Sequence, residues 1–144
     1  MQYIIEVRGL KKTYPKVQAV DGVSFGVAPG QCFGLLGPNG AGKTTTVEMM
    51  EGVISPSSGT ILYKGRPPGP TFTQEVGIQL QITSLMYFMS VGETLRCFAG
   101  MYEQTEDLAE IAELCRLNDF LDRDVRKISG GQRQRLLFAL TLIN

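Results

Sequence analysis

The sequence contains no histidine, and its three cysteines, Cys32, Cys97 and Cys115, include no C-x-x-C pair. Without histidine, these 144 residues cannot form a His-ligated zinc site or a Ser-His-Asp or Cys-His catalytic arrangement. An odd number of widely separated cysteines argues against a disulfide framework or a zinc cluster. We therefore expect a reducing, cytosolic environment.

The net charge is zero, because 14 basic residues balance 14 acidic ones. No global positive field is available to hold a polyphosphate backbone, so we expect no nucleic-acid partner. The uncharged run 76–92 contains several polar side chains and falls short of the roughly 20 apolar residues of a spanning helix. Glu6 and Arg8 lie where a signal peptide requires an uninterrupted apolar stretch. We expect neither a transmembrane segment nor a signal peptide.

The composition is typical of a folded domain, with 43% hydrophobic and 19% charged residues. The mostly apolar run 32–36 predicts a strand buried on both faces, which leads into a glycine-rich loop and a helix. The other predicted strands cover residues 3–10, 23–27, 60–63 and 76–80, and turns are predicted at Asp21-Gly22 and Pro29-Gly30.

Three further helices are predicted from capping boxes and apolar spacing. Ser90 and Glu93 form a Ser-x-x-Glu box that predicts a helix through about residue 101. After Thr105, apolar residues recur at helical spacing, and we interpret the acidic residues between them as a solvated face. Ser129 and Gln132 form a second box, which opens a helix ending near residue 143.

Residues 37–44 match the phosphate-binding pattern G-x-x-x-x-G-K-[ST], between a predicted buried strand and a predicted helix. Glycines in such a loop let successive backbone N–H groups point at phosphate oxygens, and the helix N-terminus adds its positive end. Lys43 can reach the β and γ phosphates, and the Thr44 hydroxyl is placed to ligate Mg²⁺. The pattern predicts a site for phosphate groups with Mg²⁺.

The segment 128–132, Ile-Ser-Gly-Gly-Gln, resembles the LSGGQ signature of the ATP-binding-cassette (ABC) ATPases, with Ile in place of Leu. Its two glycines weaken the first turn of a helix, which is understandable if the backbone must approach a ligand closely; the alternative is a capped helix and nothing more. With the phosphate loop, the signature makes the chain similar to the nucleotide-binding domains of ABC transporters.

The resemblance implies ATP and Mg²⁺ as cofactors. The residues implied to bind ATP are Tyr14, Gly37, Pro38, Asn39, Gly40, Ala41, Gly42, Lys43, Thr44 and Thr45. The signature residues Ser129, Gly130, Gly131 and Gln132 are implied to contact the ATP held by a second ABC domain, so that two ATP molecules lie between two domains.

Two weaker matches follow the order of the family. Tyr14 resembles the aromatic residue that stacks on adenine, and a packing role is the alternative. Gln81 resembles the Q-loop glutamine that contacts Mg²⁺ or the attacking water, with Gln79 as its rival. The apolar stretch 85–89 is either core or a groove for the coupling helix of a membrane partner.

The family resemblance implies an α/β fold: a partial P-loop NTPase core, an N-terminal antiparallel β portion and a helical arm that carries the signature. We expect residues 1–144 to be the N-terminal part of one ABC ATPase domain, with the core over about 1–82 and the arm over about 83–135. The family's Walker B strand, D-loop and switch histidine do not occur in these residues. We therefore expect the chain to bind ATP without hydrolysing it, and the edge of strand 32–36 to favour self-association.

The implied function is ATP-driven transport, with a second ABC domain and transmembrane permease subunits as partners. The permeases would hold the chain peripherally at the cytoplasmic side of the cell membrane. The stretches 79–85 and 93–99 look more like those of exporter ATPases than those of importers. The alternatives are a soluble ABC ATPase acting on ribosomes or DNA, and a non-hydrolytic ATP-binding module.

Overall fold

A computed structural model describes residues 3–79 and 85–144, which belong to two compact units, Met1–Gly69 and Pro70–Asn144. The first unit contains an antiparallel sheet and one helix, and the second contains helices. Within the described residues, none of the helices is long and apolar enough to cross a membrane.

The sheet of the first unit has the strand order β2-β1-β3. Strand β1 (Ile5–Tyr14) and strand β2 (Val17–Val27) form a hairpin, and β3 (Ser58–Tyr63) pairs antiparallel with the other edge of β1. Tyr14 pairs with Val17, so the hairpin turns at residues 15–16. Helix α1 (Lys43–Met50) lies between β2 and β3 in the sequence, and its Met49 is buried with Val7, Leu10 and Val20 of the sheet.

The turn predicted at Asp21-Gly22 is wrong, because both residues lie inside β2. Lys11 pairs with Asp21 and Leu10 pairs with Val23, so Gly22 has no partner in the register. Its φ of 76° is a left-handed conformation that suits glycine, and a bulge of this kind twists a strand without ending it. The Asp-Gly pair therefore marks a bulge.

The strand predicted over residues 32–36 is also wrong, because this segment has no regular secondary structure. A β-strand requires a hydrogen-bonded neighbour, and none of the strands in the described residues pairs with this run. Leu36 is 91% exposed and Phe33 is 41% exposed, so the run is not buried on both faces. Phe33 stacks on Phe25 of β2, with ring centroids 4.9 Å apart.

The second unit is built from helices α2 (Phe72–Glu75), α3 (Val91–Ala99), α4 (Leu108–Leu114) and α5 (Gly130–Leu140), with a short 3₁₀ turn at Asn118–Phe120. The predicted helices after residues 90, 105 and 129 are confirmed, and α3 and α5 end two to three residues earlier than expected. The predicted strand 76–80 is not observed over 76–79, and Leu80 lies outside the described residues.

One apolar core holds the helices of the second unit together. The residues that are at most 3% exposed in this core are Val91, Leu95, Ala112, Leu117, Phe120, Leu136, Ala139 and Ile143. They come from α3, α4, the 3₁₀ turn and the residue before it, α5 and the segment after α5, so the core fixes where both capping boxes lie within this unit.

Candidate functional site

The predicted phosphate loop runs directly into α1, whose first residue is Lys43. Gly42 precedes the helix with φ of 81°, a left-handed conformation. A Cβ at this position would clash with the carbonyl oxygen of Ala19 and lie 3.0 Å from a methyl carbon of Val20. Only a residue without a side chain fits here, because β2 packs against the backbone of the loop.

Backbone donors at the start of α1 are available to a ligand. The N–H of Thr46 donates to the carbonyl oxygen of Gly42 at 2.8 Å, and the buried Thr46 hydroxyl donates to the same oxygen at 2.8 Å. In the described part of the chain, the N–H groups of Lys43, Thr44 and Thr45 have no acceptor. Three free N–H groups at the positive end of a helix are suited to phosphate oxygens.

The Lys43 side chain turns back over the loop that precedes it. Its Nζ donates hydrogen bonds to the carbonyl oxygens of Gly37, at 2.8 Å, and Pro38, at 2.7 Å. The N–H of Ala41 also donates to Pro38, at 3.2 Å, which closes a turn in the loop. The ammonium therefore lies at the loop and has two neutral acceptors, which an anionic phosphate can replace.

A cavity of about 330 Å³ lies between the loop and β2. Its lining residues are Val17, Ala19, Asn39, Gly40, Gly42, Lys43, Thr44 and Thr45. The last six were predicted, five of them from the motif and Thr45 from the family resemblance. Val17 and Ala19 were missed, because their approach to the loop is a long-range contact of β2 with no local sequence pattern.

Tyr14 lies at the hairpin turn and is 43% exposed. Its register partner Val17 lines the cavity, whereas Tyr14 itself is not among the lining residues. The Lys12 ammonium lies 5.2 Å from the centre of the Tyr14 ring and donates to the Ser55 carbonyl oxygen at 2.7 Å. Tyr14 is therefore a surface aromatic residue on the hairpin that borders the cavity through Val17.

The two glutamines and the apolar stretch after them belong to the second unit. Gln81 lies outside the described residues, so its predicted role as a Mg²⁺ ligand stays a prediction. Gln79 is exposed, and its Nε2 donates to Oε1 of Gln134 at 3.2 Å. Leu85 is buried in the core, whereas Tyr87 is 68% exposed and Phe88 is 80% exposed. The stretch 85–89 thus has core and surface members.

The predicted signature segment opens α5. The Ser129 hydroxyl accepts from the Gln132 N–H at 3.2 Å, and the Gln132 side chain accepts from the Ser129 N–H at 2.8 Å, which confirms the predicted capping box. Gly130 and Gly131 are exposed, and a Cβ at either position would have no neighbour within 4 Å. The N-terminal backbone of α5 is therefore open to an approaching molecule.

An ion pair fixes the turn that precedes this segment. Both carboxylate oxygens of Asp124 accept from the Arg126 guanidinium, the shortest bond being 2.6 Å, and the backbone N–H of Arg126 donates to Asp124 at 2.8 Å. These hydrogen bonds lower the pKa of Asp124 to about 2. The Arg126 guanidinium also lies 4.3 Å above the Phe88 ring.

Comparisons with known proteins agree with these features. The family model described as ABC transporter matches residues 20–144. The Nod factor export ATP-binding protein I of Cupriavidus metallidurans is 41% identical over all of this chain and 50% of the relative, and that of Ralstonia nicotianae is 42% identical over 98% of this chain and 46% of the relative. The chain spans about half the length of these curated relatives.

The fold agrees with the family. A solved ATP-binding subunit of an ABC transporter superposes with a TM-score of 0.83 and 27% identity, over 96% of this chain and 61% of that chain. The predicted α/β fold of the P-loop NTPase class is confirmed, although the strand expected before the phosphate loop is not formed. The chain belongs to the ABC transporter family.

Proposed function

We propose that the chain binds ATP with Mg²⁺ at residues 37–45 and serves as the nucleotide-binding part of an export-type ABC transporter. The observation that carries the proposal is that the N–H groups of Lys43, Thr44 and Thr45 have no acceptor among the described residues, and that all three residues line the cavity. Phosphate oxygens would satisfy these donors at the positive end of α1.

Lys43 supplies the positive charge in this proposal. On binding, its ammonium leaves the carbonyl oxygens of Gly37 and Pro38 and donates to the β and γ phosphates. Charge-assisted hydrogen bonds to phosphate are shorter and stronger than those to neutral carbonyls, so the exchange is favourable. The exposed Thr44 hydroxyl, which lines the cavity, would ligate Mg²⁺. Mg²⁺ neutralises the charge of the phosphates that it bridges.

The adenine would stack on Tyr14. The ring is partly exposed, and its hairpin partner Val17 lines the phosphate cavity, which places an aromatic surface on the same hairpin. Base stacking on an aromatic side chain is worth about 1 to 3 kcal/mol and does not depend on the phosphates.

The signature residues would act on a second ATP. The open backbone at Gly130 and Gly131 and the cap formed by Ser129 and Gln132 support contact with the γ-phosphate of ATP bound by a second ABC domain. The proposed assembly is therefore a dimer of ABC domains, in which each domain completes the site of the other.

The names of the relatives support export as the direction of transport and ATP as the bound nucleotide. Transmembrane permease subunits would bind the exposed surface at Met86, Tyr87 and Phe88 and would hold the protein at the cytoplasmic side of the membrane. One face of the Phe88 ring is in cation–π contact with Arg126 at 4.3 Å.

The 144-residue chain should bind ATP without hydrolysing it. Hydrolysis requires an oriented water and a general base. Residues 125–144 contain no carboxylate, and the 144 residues contain no histidine, that could act as this base. Phosphate release should equal that of buffer, and release that depends on Thr44 would contradict this part of the proposal.

Amide NMR tests the proposed site directly. Inorganic triphosphate with Mg²⁺ should shift the amide resonances of residues 37–45 and leave Tyr14 unchanged, and ATP with Mg²⁺ should shift both. Resonances at 37–45 that stay fixed at saturating ATP would refute the assignment.

A further inference from the structure

The acidic side of α4 borders a surface groove of about 600 Å³ in the second unit. The floor of the groove is apolar and consists of Ile111, Leu114 and Leu142, while its rim is acidic and consists of Glu106, Asp107, Glu110 and Glu113. Leu114 is 73% exposed, so it offers apolar surface within the groove.

Hydrogen bonds at the start of α4 fix one end of the groove. Asp107 caps the helix by accepting from the Ala109 N–H at 2.7 Å, and the Glu106 N–H donates to the Ile143 carbonyl oxygen at 2.8 Å. The second bond ties the start of α4 to the segment after α5 and so fixes Leu142 beside the helix. Ile111 is 4% exposed and anchors the floor in the core.

The rim carries negative charge that has no counter-ion in the described part of the chain. Glu110 and Glu113 are three residues apart in α4 and lie on one helix face, Glu106 precedes the helix, and none of the three forms an ion pair there. The chain as a whole has a net charge of zero, so the negative field is local to this groove.

We propose that this groove docks a basic amphipathic helical segment of a partner protein. One apolar side chain of that segment would pack on Leu114 and Leu142, and its lysine or arginine residues would pair with the rim carboxylates. Helices bind grooves in this way through apolar anchors at helical spacing, and complementary charge sets their register. The proposal does not depend on nucleotide binding.

A synthetic peptide is the probe: twelve residues of leucine and lysine, with leucine at every third or fourth position. Its binding to the 144-residue chain is measured by fluorescence anisotropy at low salt. We expect saturable binding with one peptide per chain, weakened by salt, and amide shifts confined to residues 106–114 and 142. A peptide with glutamate in place of lysine should not bind.

Variants separate the rim from the floor. Glu110→Gln with Glu113→Gln should weaken binding about three- to tenfold, as expected for two exposed ion pairs, and Leu114→Gln should weaken it to a similar extent. Glu103→Gln, an exposed glutamate outside the groove, is the control and should leave binding unchanged. Binding that falls equally in the control, or that is absent in the parent chain, would overturn the proposal.

A second copy of the chain is the competing occupant. Light scattering should show that Leu114→Gln does not change the mass of the chain in the absence of peptide. A dimer of the parent chain that is lost in Leu114→Gln would assign the groove to self-association and overturn docking of a basic segment.

Discussion

Gly42 is the residue at which the phosphate loop is most tightly constrained. Its left-handed backbone and its contact with Ala19 allow no side chain, whereas Gly34 has open space around it and no positive φ. The G-x-x-x-x-G-K pattern explains this glycine by the close approach of the loop backbone to phosphate. The structure adds a second reason, which is that β2 packs against the loop at this position. Sequence could not show that contact, because it joins residues 23 positions apart.

Gly42→Ala should lower the free energy of unfolding by about 2 kcal/mol, since the left-handed conformation alone costs a residue with a Cβ about 1 to 2 kcal/mol and the clash with Ala19 adds to it. Urea denaturation measures the loss. Gly34→Ala is the matched control and should change stability by less than about 0.5 kcal/mol. Equal stability of Gly42→Ala and Gly34→Ala would contradict the described packing.

Asp124 predicts how stability depends on pH. Because Arg126 lowers the pKa of Asp124 in the folded state to about 2, the ion pair stabilises the fold fully above the ordinary carboxylate pKa. This contribution should be lost as the pH falls from about 4 towards 2. Urea midpoints at pH 6 and pH 2.5 measure it.

Asp124→Asn should lower stability at pH 6 and show a smaller further loss at pH 2.5 than the parent. Asp119→Asn changes an exposed carboxylate without an ion pair in the described residues and serves as the control. Identical acid profiles for the parent and Asp124→Asn would show that the ion pair does not couple to folding.

At the scale of elements, both capping signals and the strand signals at 3–10, 23–27 and 60–63 were confirmed, whereas two other strand signals were not. Ser90 and Ser129 each start a helix where the Ser-x-x-Glu and Ser-x-x-Gln patterns predict one, because both partners of a capping box are local in sequence. The strands predicted at 32–36 and 76–80 depend on neighbouring strands that no local pattern specifies. A hydrophobic run alone cannot supply the hydrogen-bond partner that a strand requires.

Ser90→Ala should destabilise the second unit by about 1 kcal/mol, because it removes the acceptor for the Glu93 N–H at the start of α3. The helix carries Val91 and Leu95 into the core, so the loss should reach the whole unit. Thr105→Ala, at an exposed hydroxyl without a hydrogen bond in the described chain, is the control for urea denaturation. A loss no larger than in this control would mean that the cap adds nothing.

At the scale of the whole molecule, the ABC family and its fold class were predictable from two short motifs, the phosphate loop and the signature, with the family model covering residues 20–144. The floor of the phosphate cavity at Val17 and Ala19 was not predictable, because it depends on how the hairpin packs. The exposure of Phe33 and Leu36 was not predictable either, because the apolar run 32–36 indicated a buried strand.

The exposed run predicts self-association of the 144-residue chain. Leu36 and Phe33 offer apolar surface beside backbone groups that no strand of the described residues pairs. Light scattering should show a mass that rises with concentration, and Leu36→Lys should reduce it. Val53→Lys, at another exposed apolar residue, is the control. A strictly monomeric parent chain would contradict this prediction.

Calorimetric titration of ATP with Mg²⁺ tests the central proposal most directly. Lys43→Ala removes the ammonium that lies at the loop carbonyl oxygens of Gly37 and Pro38, and Lys64→Ala removes an exposed ammonium elsewhere in the same unit. The parent chain and Lys64→Ala should bind one ATP per chain with the same affinity, and Lys43→Ala should show no measurable binding. Equal ATP affinity for Lys43→Ala and the parent chain would contradict the proposal that residues 37–45 hold the phosphates.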